Sequence, residues 1–190
     1  MKKITLAAFA AVAALSAGAA SAQDAGWYVQ GNAGANFQNK LGSSPSLKGD
    51  DGWAVSGAVG RQITPNIRAE GELFYSTADG KVAGSGDLET FGGFVNGYYD
   101  FNPGGAIQPF LGAGVGYAKV KVDGRLLDDD DSAFAYQFKA GVAHPFSERL
   151  TGEVAYRYVN VADVELGRGA AHIDGDFETQ AVTVGLRYGF

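Results

Sequence analysis

A two-residue rhythm governs this sequence. Side chains that are apolar in one phase and small or polar in the other alternate through eight segments, at about residues 27–37, 53–63, 67–77, 89–101, 107–122, 134–144, 150–159 and 177–190. Successive side chains of an extended strand point to opposite faces, so this pattern specifies half-buried β-strands. In the third segment Ile67, Ala69, Leu73 and Tyr75 occupy one phase, and Arg68, Glu70, Glu72 and Ser76 the other. The last sets Val182, Val184, Leu186, Tyr188 and Phe190 against Thr183, Gly185, Arg187 and Gly189.

The connections alternate as well. Short turns fall at Thr64-Pro65-Asn66, Asn102-Pro103-Gly104-Gly105 and Pro145-Phe146-Ser147-Glu148, and long polar loops fill about residues 38–51, 78–88, 123–133 and 160–176. Barrels of the bacterial outer membrane combine short periplasmic turns with longer external loops. The expected fold is therefore all-β, an eight-stranded antiparallel up-and-down transmembrane β-barrel with both ends in the periplasm.

A soluble sandwich also alternates, so three further features carry the choice. Aromatic residues of the apolar phase gather near strand ends (Trp27, Trp53, Tyr75, Tyr99, Tyr117 and Tyr156 among them), as in the girdles at the two membrane interfaces. The opposite phase carries both signs of charge: Arg68, Lys139, Arg157 and Arg187 against Glu70, Glu72, Asp100 and Glu153. A barrel of eight strands has a lumen only wide enough for side chains, so these ions must meet one another or water. Lys139 with Glu153, and Arg68 with Asp100, are the expected pairs. Finally, the last segment ends on an aromatic, and an open sheet edge is untenable in hydrocarbon, so the last strand must close onto the first.

Ahead of these segments the chain opens Met1-Lys2-Lys3, continues through a small and apolar run at residues 4–19, and reaches Ala20-Ser21-Ala22 before Gln23-Asp24. A basic start, an apolar middle and an Ala-x-Ala exit make a secretory signal peptide. Residues 1–22 are expected to be removed, leaving residues 23–190 as one barrel domain. The absence of cysteine excludes both a lipid-modified N-terminal cysteine and disulfides. Removing Lys2 and Lys3 leaves 13 basic against 21 acidic residues, a net charge of −8, which argues against nucleic acid as a partner.

The stretches Asn96-Gly97-Tyr98-Tyr99-Asp100-Phe101, Gln108-Pro109-Phe110-Leu111-Gly112-Ala113-Gly114-Val115-Gly116-Tyr117, Ala155-Tyr156-Arg157-Tyr158 and residues 182–190 resemble the small outer-membrane β-barrel family. That family includes opacity proteins, the barrel domain of OmpA and alphaproteobacterial surface porin-like proteins. The resemblance implies an outer-membrane location, a terminal signal at Tyr188 and Phe190 read by the barrel-assembly machinery, and passage by way of periplasmic chaperones. The family's motifs specify fold and place better than function.

Catalytic chemistry is poorly supported. His144 stands beside Pro145 at a short turn with Ser147 nearby, but no nucleophile, base and orienting group form a set. His172 with Asp174 and Asp176 in the last long loop offers the groups for a cation site or an Asp-His pair, against the default of polar loop residues. The acidic run Asp128, Asp129, Asp130 and Asp131 in the third lacks the regular offsets of a dedicated calcium loop and reads as a solvated loop. No catalytic residue, metal site or cofactor is assigned. Lys119 and Lys121 continue the outward phase past Tyr117, where they are expected to meet lipopolysaccharide phosphates. Arg61 falls in the outward phase of the second segment, to be explained by snorkelling or by a bulge. The expected function is structural: membrane integrity and surface contact through the external loops, with an unidentified host or surface ligand. A narrow porin is the alternative, and an outer-membrane enzyme a remoter one.

Overall fold

The computed structural model describes residues 26–41, 48–80, 86–123, 128–166 and 173–190, with side chains placed for 26–37, 52–77, 89–119, 133–162 and 178–190. Residues 1–25, which include the expected signal peptide, and His172 lie outside the described residues.

Eight strands follow in order: β1 (Trp27–Leu41), β2 (Lys48–Thr64), β3 (Ile67–Gly80), β4 (Gly86–Asp100), β5 (Gln108–Asp123), β6 (Asp128–Pro145), β7 (Leu150–Leu166) and β8 (Ile173–Gly189). Each pairs antiparallel with its neighbours in sequence, and β8 closes onto β1 from Tyr28 opposite Gly189 to Leu41 opposite Phe177. Closure leaves no open edge, as a sheet in lipid requires.

The strands are longer than the alternation indicates. A span tilted across a bilayer needs roughly 9–11 residues, whereas β3 has 14 and β6 has 18. The excess lies toward the long connections, where the apolar-polar rhythm of the sequence fades. Asp128, Asp129, Asp130 and Asp131, expected in a loop, therefore begin β6, with backbones paired to β5 from Asp123 to Val120. Asp174 and Asp176 likewise fall within β8.

The short turns at the other end are tied by local bonds. Thr64 Oγ1 accepts from the backbone amide of Ile67 at 3.1 Å, and Ser147 Oγ accepts from that of Leu150 at 3.1 Å. The 101–107 connection uses Gly104 at a φ of 80°, a left-handed conformation that glycine adopts without strain.

Candidate functional site

Alternation along each strand carries one set of side chains into the lumen, and there the ionised groups assemble. Arg68 lies on β3 beside β4, and its guanidinium forks onto Asp100: Nε to Oδ2 at 2.9 Å and Nη2 to Oδ1 at 3.1 Å, with Arg68 only 1 % exposed. The same guanidinium faces the Tyr98 ring at 4.5 Å. Tyr28 and Tyr98 donate their hydroxyls to Glu70, at 3.1 and 2.9 Å.

Glu72 is the hub of the next layer. It receives Lys139 Nζ at 2.9 Å, Arg157 Nη1 at 2.9 Å, Gln137 Nε2 at 2.8 Å and Asn96 Nδ2 at 3.0 Å. The Arg157 guanidinium lies 3.8 Å from the Phe74 ring centre, while its Nε and Nη2 have no hydrogen-bond partner. Aromatic faces thus hold that side of the cation.

Lys139 does not pair with Glu153. Its direct cross-strand neighbour is Arg157, another cation, and Glu153 stands opposite Ala143, closer to the short turns. The long lysine side chain instead crosses the lumen to Glu72. Glu153 accepts from Gln30 Nε2, and Arg187 lies 5.4 Å from the Tyr28 ring centre.

Space for these large groups comes from glycine. Tyr28, Tyr98, Asn96 and Asn32 stand directly opposite Gly60, Gly112, Gly114 and Gly185, and a Cβ added at any of the four would run into the opposing side chain. Past Glu72 and Arg157, toward the long connections, the lining changes to Phe74, Phe94, Ala118, Ala135, Val159 and Val161, with neutral polar groups such as Asn36 and Ser76 between them. At the opposite mouth a polar vestibule of about 420 Å³ opens among the short turns, lined by Tyr28, Gln62, Thr151 and Arg187.

The outward phase is apolar and aromatic, with Leu73, Val95, Val115, Phe138, Val184 and Leu186 all exposed. Tyrosines at the long-connection end donate to outward polar side chains: Tyr75 to Glu89 at 3.0 Å, Tyr158 to Glu178 at 3.1 Å and Tyr156 to Gln180 at 2.8 Å. Trp53 packs on Tyr75 there, and Tyr117 on Phe134. At the other end Tyr99 packs on Phe101, and Trp27 carries the Arg61 guanidinium at 5.7 Å. Lys119 is exposed in the outward phase, its backbone opposite Phe91 and Ser132; the Lys121 side chain lies outside the described residues. Tyr188 faces outward, and the Phe190 amide donates to the Trp27 carbonyl at 3.1 Å. His144 packs edge-on against Phe146, its Nδ1 2.6 Å from the Ala106 carbonyl oxygen. Among the described residues no group of His, Asp and Glu side chains has the arrangement of a metal site.

The sequence profile of the outer membrane protein beta-barrel domain matches residues 7–190. The chain belongs to that family. Its place is the outer membrane of a Gram-negative cell. Among curated relatives, the 25 kDa outer-membrane immunogenic protein of Brucella abortus is 25 % identical over 80 % of this chain and 71 % of its own. A Rickettsia prowazekii protein, RP828, whose name puts it forward as an adhesin, is 27 % identical over the whole of both chains. Solved outer-membrane barrels share the fold. Neisserial surface protein A superposes with a TM-score of 0.65 at 20 % identity, covering 87 % of this chain and 97 % of that one. OprG of Pseudomonas aeruginosa superposes with a TM-score of 0.59 at 15 % identity, covering 87 % and 96 %.

The side chains that alternation did not single out are the neutral partners. Gln30, Asn96 and Gln137 carry bonds to Glu153, Glu70 and Glu72. Their signal in the sequence is an amide in the inward phase of a strand whose other inward residues are charged or aromatic.

Proposed function

We propose that this outer-membrane barrel is a closed, non-conducting and non-catalytic support whose work is membrane integrity and surface contact at its long-connection end. The observation that supports this best is the lumen at Glu72, where Lys139, Arg157 and Gln137 converge on one carboxylate beneath Phe74 and Phe94. A hydrated ion has no room beside such a layer in an eight-stranded barrel. Purified protein in planar bilayers is expected to give no stable single-channel openings. Steady openings would replace this reading with the narrow porin.

Charge supports the surface role. Residues 38–51, 78–89, 119–133 and 160–178, the long connections of the sequence and the strand ends beside them, contain 7 basic and 15 acidic residues, against 6 and 6 in the rest of 23–190. The whole net charge of −8 is thus carried at that end. Such a surface attracts basic partners and repels phosphate. Lys119 and Lys121 are the exceptions at the membrane boundary, and in this reading they contact lipopolysaccharide phosphates. Replacing both by alanine should lower the lipopolysaccharide that copurifies, and unchanged retention removes that role. Export by cleavage after Ala22, periplasmic chaperones, and recognition of Tyr188 and Phe190 by the barrel-assembly machinery complete the proposal. Deleting Phe190 should then lower the yield of heat-modifiable barrel in the membrane.

A further inference from the structure

One cation interrupts the apolar outer wall. Arg61 occupies the outward phase of β2, directly opposite Trp27 on β1 and Ala69 on β3. Its guanidinium carbon lies 5.7 Å from the Trp27 ring centre. Among the described residues it is the one lysine or arginine in the outward phase of a strand at the short-turn end. Ile63 and Ile67, nearer the turns, still face outward and are 57 % and 45 % exposed. The apolar belt therefore runs past Arg61, which puts this charge at the inner membrane interface and not in periplasmic water.

The wall beyond Arg61 is low. Val59 and Gly57 follow it on β2, flanked by Gly31 on β1 and Gly71 on β3, and a Cβ at either Gly31 or Gly71 would meet nothing within 4 Å. Leu73 stands up on one side of this trough, and Trp53 closes its far end. The eight residue steps from Arg61 to Trp53 span roughly 26 Å along the strand, which at a barrel's tilt is more than the roughly 15 Å depth of one leaflet's hydrocarbon. One acyl chain fits along it. At the head of the trough, a guanidinium presents paired donors matched to a phosphate, and an indole ring prefers headgroup depth.

We propose that Arg61 and Trp27 hold the headgroup phosphate of an anionic phospholipid of the inner leaflet, one of whose acyl chains lies in the trough over Val59 and Gly57. The charge selects the headgroup and the relief seats the chain. This site is independent of the lumen and of the conduction test.

The two tryptophans of the chain make the experiment direct. In a Trp53→Phe barrel, Trp27 is the sole reporter. The folded protein is placed in phosphatidylcholine vesicles doped with phosphatidylglycerol brominated near the headgroup end of its chains, or with equally brominated phosphatidylcholine. Brominated phosphatidylglycerol should quench Trp27 at a several-fold lower mole fraction. The difference should disappear with Arg61→Gln, persist with Arg61→Lys, shrink in high salt, and be absent in a Trp27→Phe barrel reporting from Trp53. Equal quenching by the two lipids in the Trp53→Phe protein overturns the proposal without need of any Arg61 variant. A preference that survives Arg61→Gln overturns it too. So does protection from both lipids that rises with protein concentration, the mark of a second barrel covering the trough.

Discussion

Toward the short turns the lumen is lined by Arg68, Asp100, Glu70, Glu153 and Arg187, whereas toward the long connections it is lined by Phe74, Phe94, Val159 and Val161. Among the residues with side chains placed, no inward lysine, arginine, aspartate or glutamate lies beyond Glu72 and Arg157. An isolated charge in a narrow lumen is costly, but grouped charges share donors and acceptors. Concentrating all of them in one half lets Glu72 serve two cations at once and lets Arg68 fork onto Asp100. It also leaves the other half free to pack like a core, and the proposed closure to ions rests on that packing.

The largest effect should come from breaking the apolar half. Phe74→Ala with Phe94→Ala removes two rings that meet edge to face at 6.4 Å, and each truncation alone is expected to cost about 3–5 kcal/mol. Urea unfolding in vesicles, followed by tryptophan fluorescence, measures the loss. The same double variant is the one expected to admit ions in a planar bilayer. If it stays silent while Arg68→Ala conducts, the seal lies in the charged half instead.

Next comes the hub. Glu72→Leu strands Lys139 and Arg157 without their shared carboxylate, and removing one partner of a buried ion cluster costs about 3–5 kcal/mol. Replacing all three, by Glu72→Leu, Lys139→Met and Arg157→Met, should recover most of that loss in the same urea titration, because buried ions exchanged together for apolar groups are near neutral. A triple variant as weak as the single one would mean that the cluster contributes net stability.

The division between lumen and lipid was legible in the sequence, because Ile67, Ala69, Leu73 and Tyr75 hold one phase of β3 without interruption. So was the Arg68 and Asp100 bridge, since both residues sit next to the same short-turn end on adjacent strands. The partner of Lys139 was not. A flexible lysine can reach across the lumen, and which carboxylate it meets depends on the stagger of the strands around the barrel, which no single segment encodes. Strand ends were also hidden, because alternation reports a difference between two faces. Where β6 begins at Asp128 and β7 runs on to Leu166, the sequence no longer alternates and that signal vanishes.

Glycines separate the two environments at smaller cost. Gly112→Ala pushes a methyl group into the Tyr98 ring, and overpacking of this kind is expected to lower stability by about 1–3 kcal/mol. Gly31→Ala, on the outer wall with nothing near its Cβ, should leave the urea midpoint almost unchanged. Equal losses at the two positions would mean that the lumen relaxes around Tyr98 and is packed more loosely than its register suggests.

Tyr75→Phe should have the smallest effect. The hydroxyl donates to Glu89 at 3.0 Å, at the edge of the apolar belt and not in the lumen. There the freed carboxylate can turn to interfacial water, so the loss should fall at or below the roughly 0.5–1.5 kcal/mol of an ordinary hydrogen bond. The ring itself stays packed on Trp53 at 5.5 Å, which keeps the girdle intact. A larger drop in the urea midpoint would place this pair below the interface, inside hydrocarbon, where an unmatched carboxylate has no such recourse. That result would move the boundary of the membrane toward the long connections, and with it the depth assigned to Lys119.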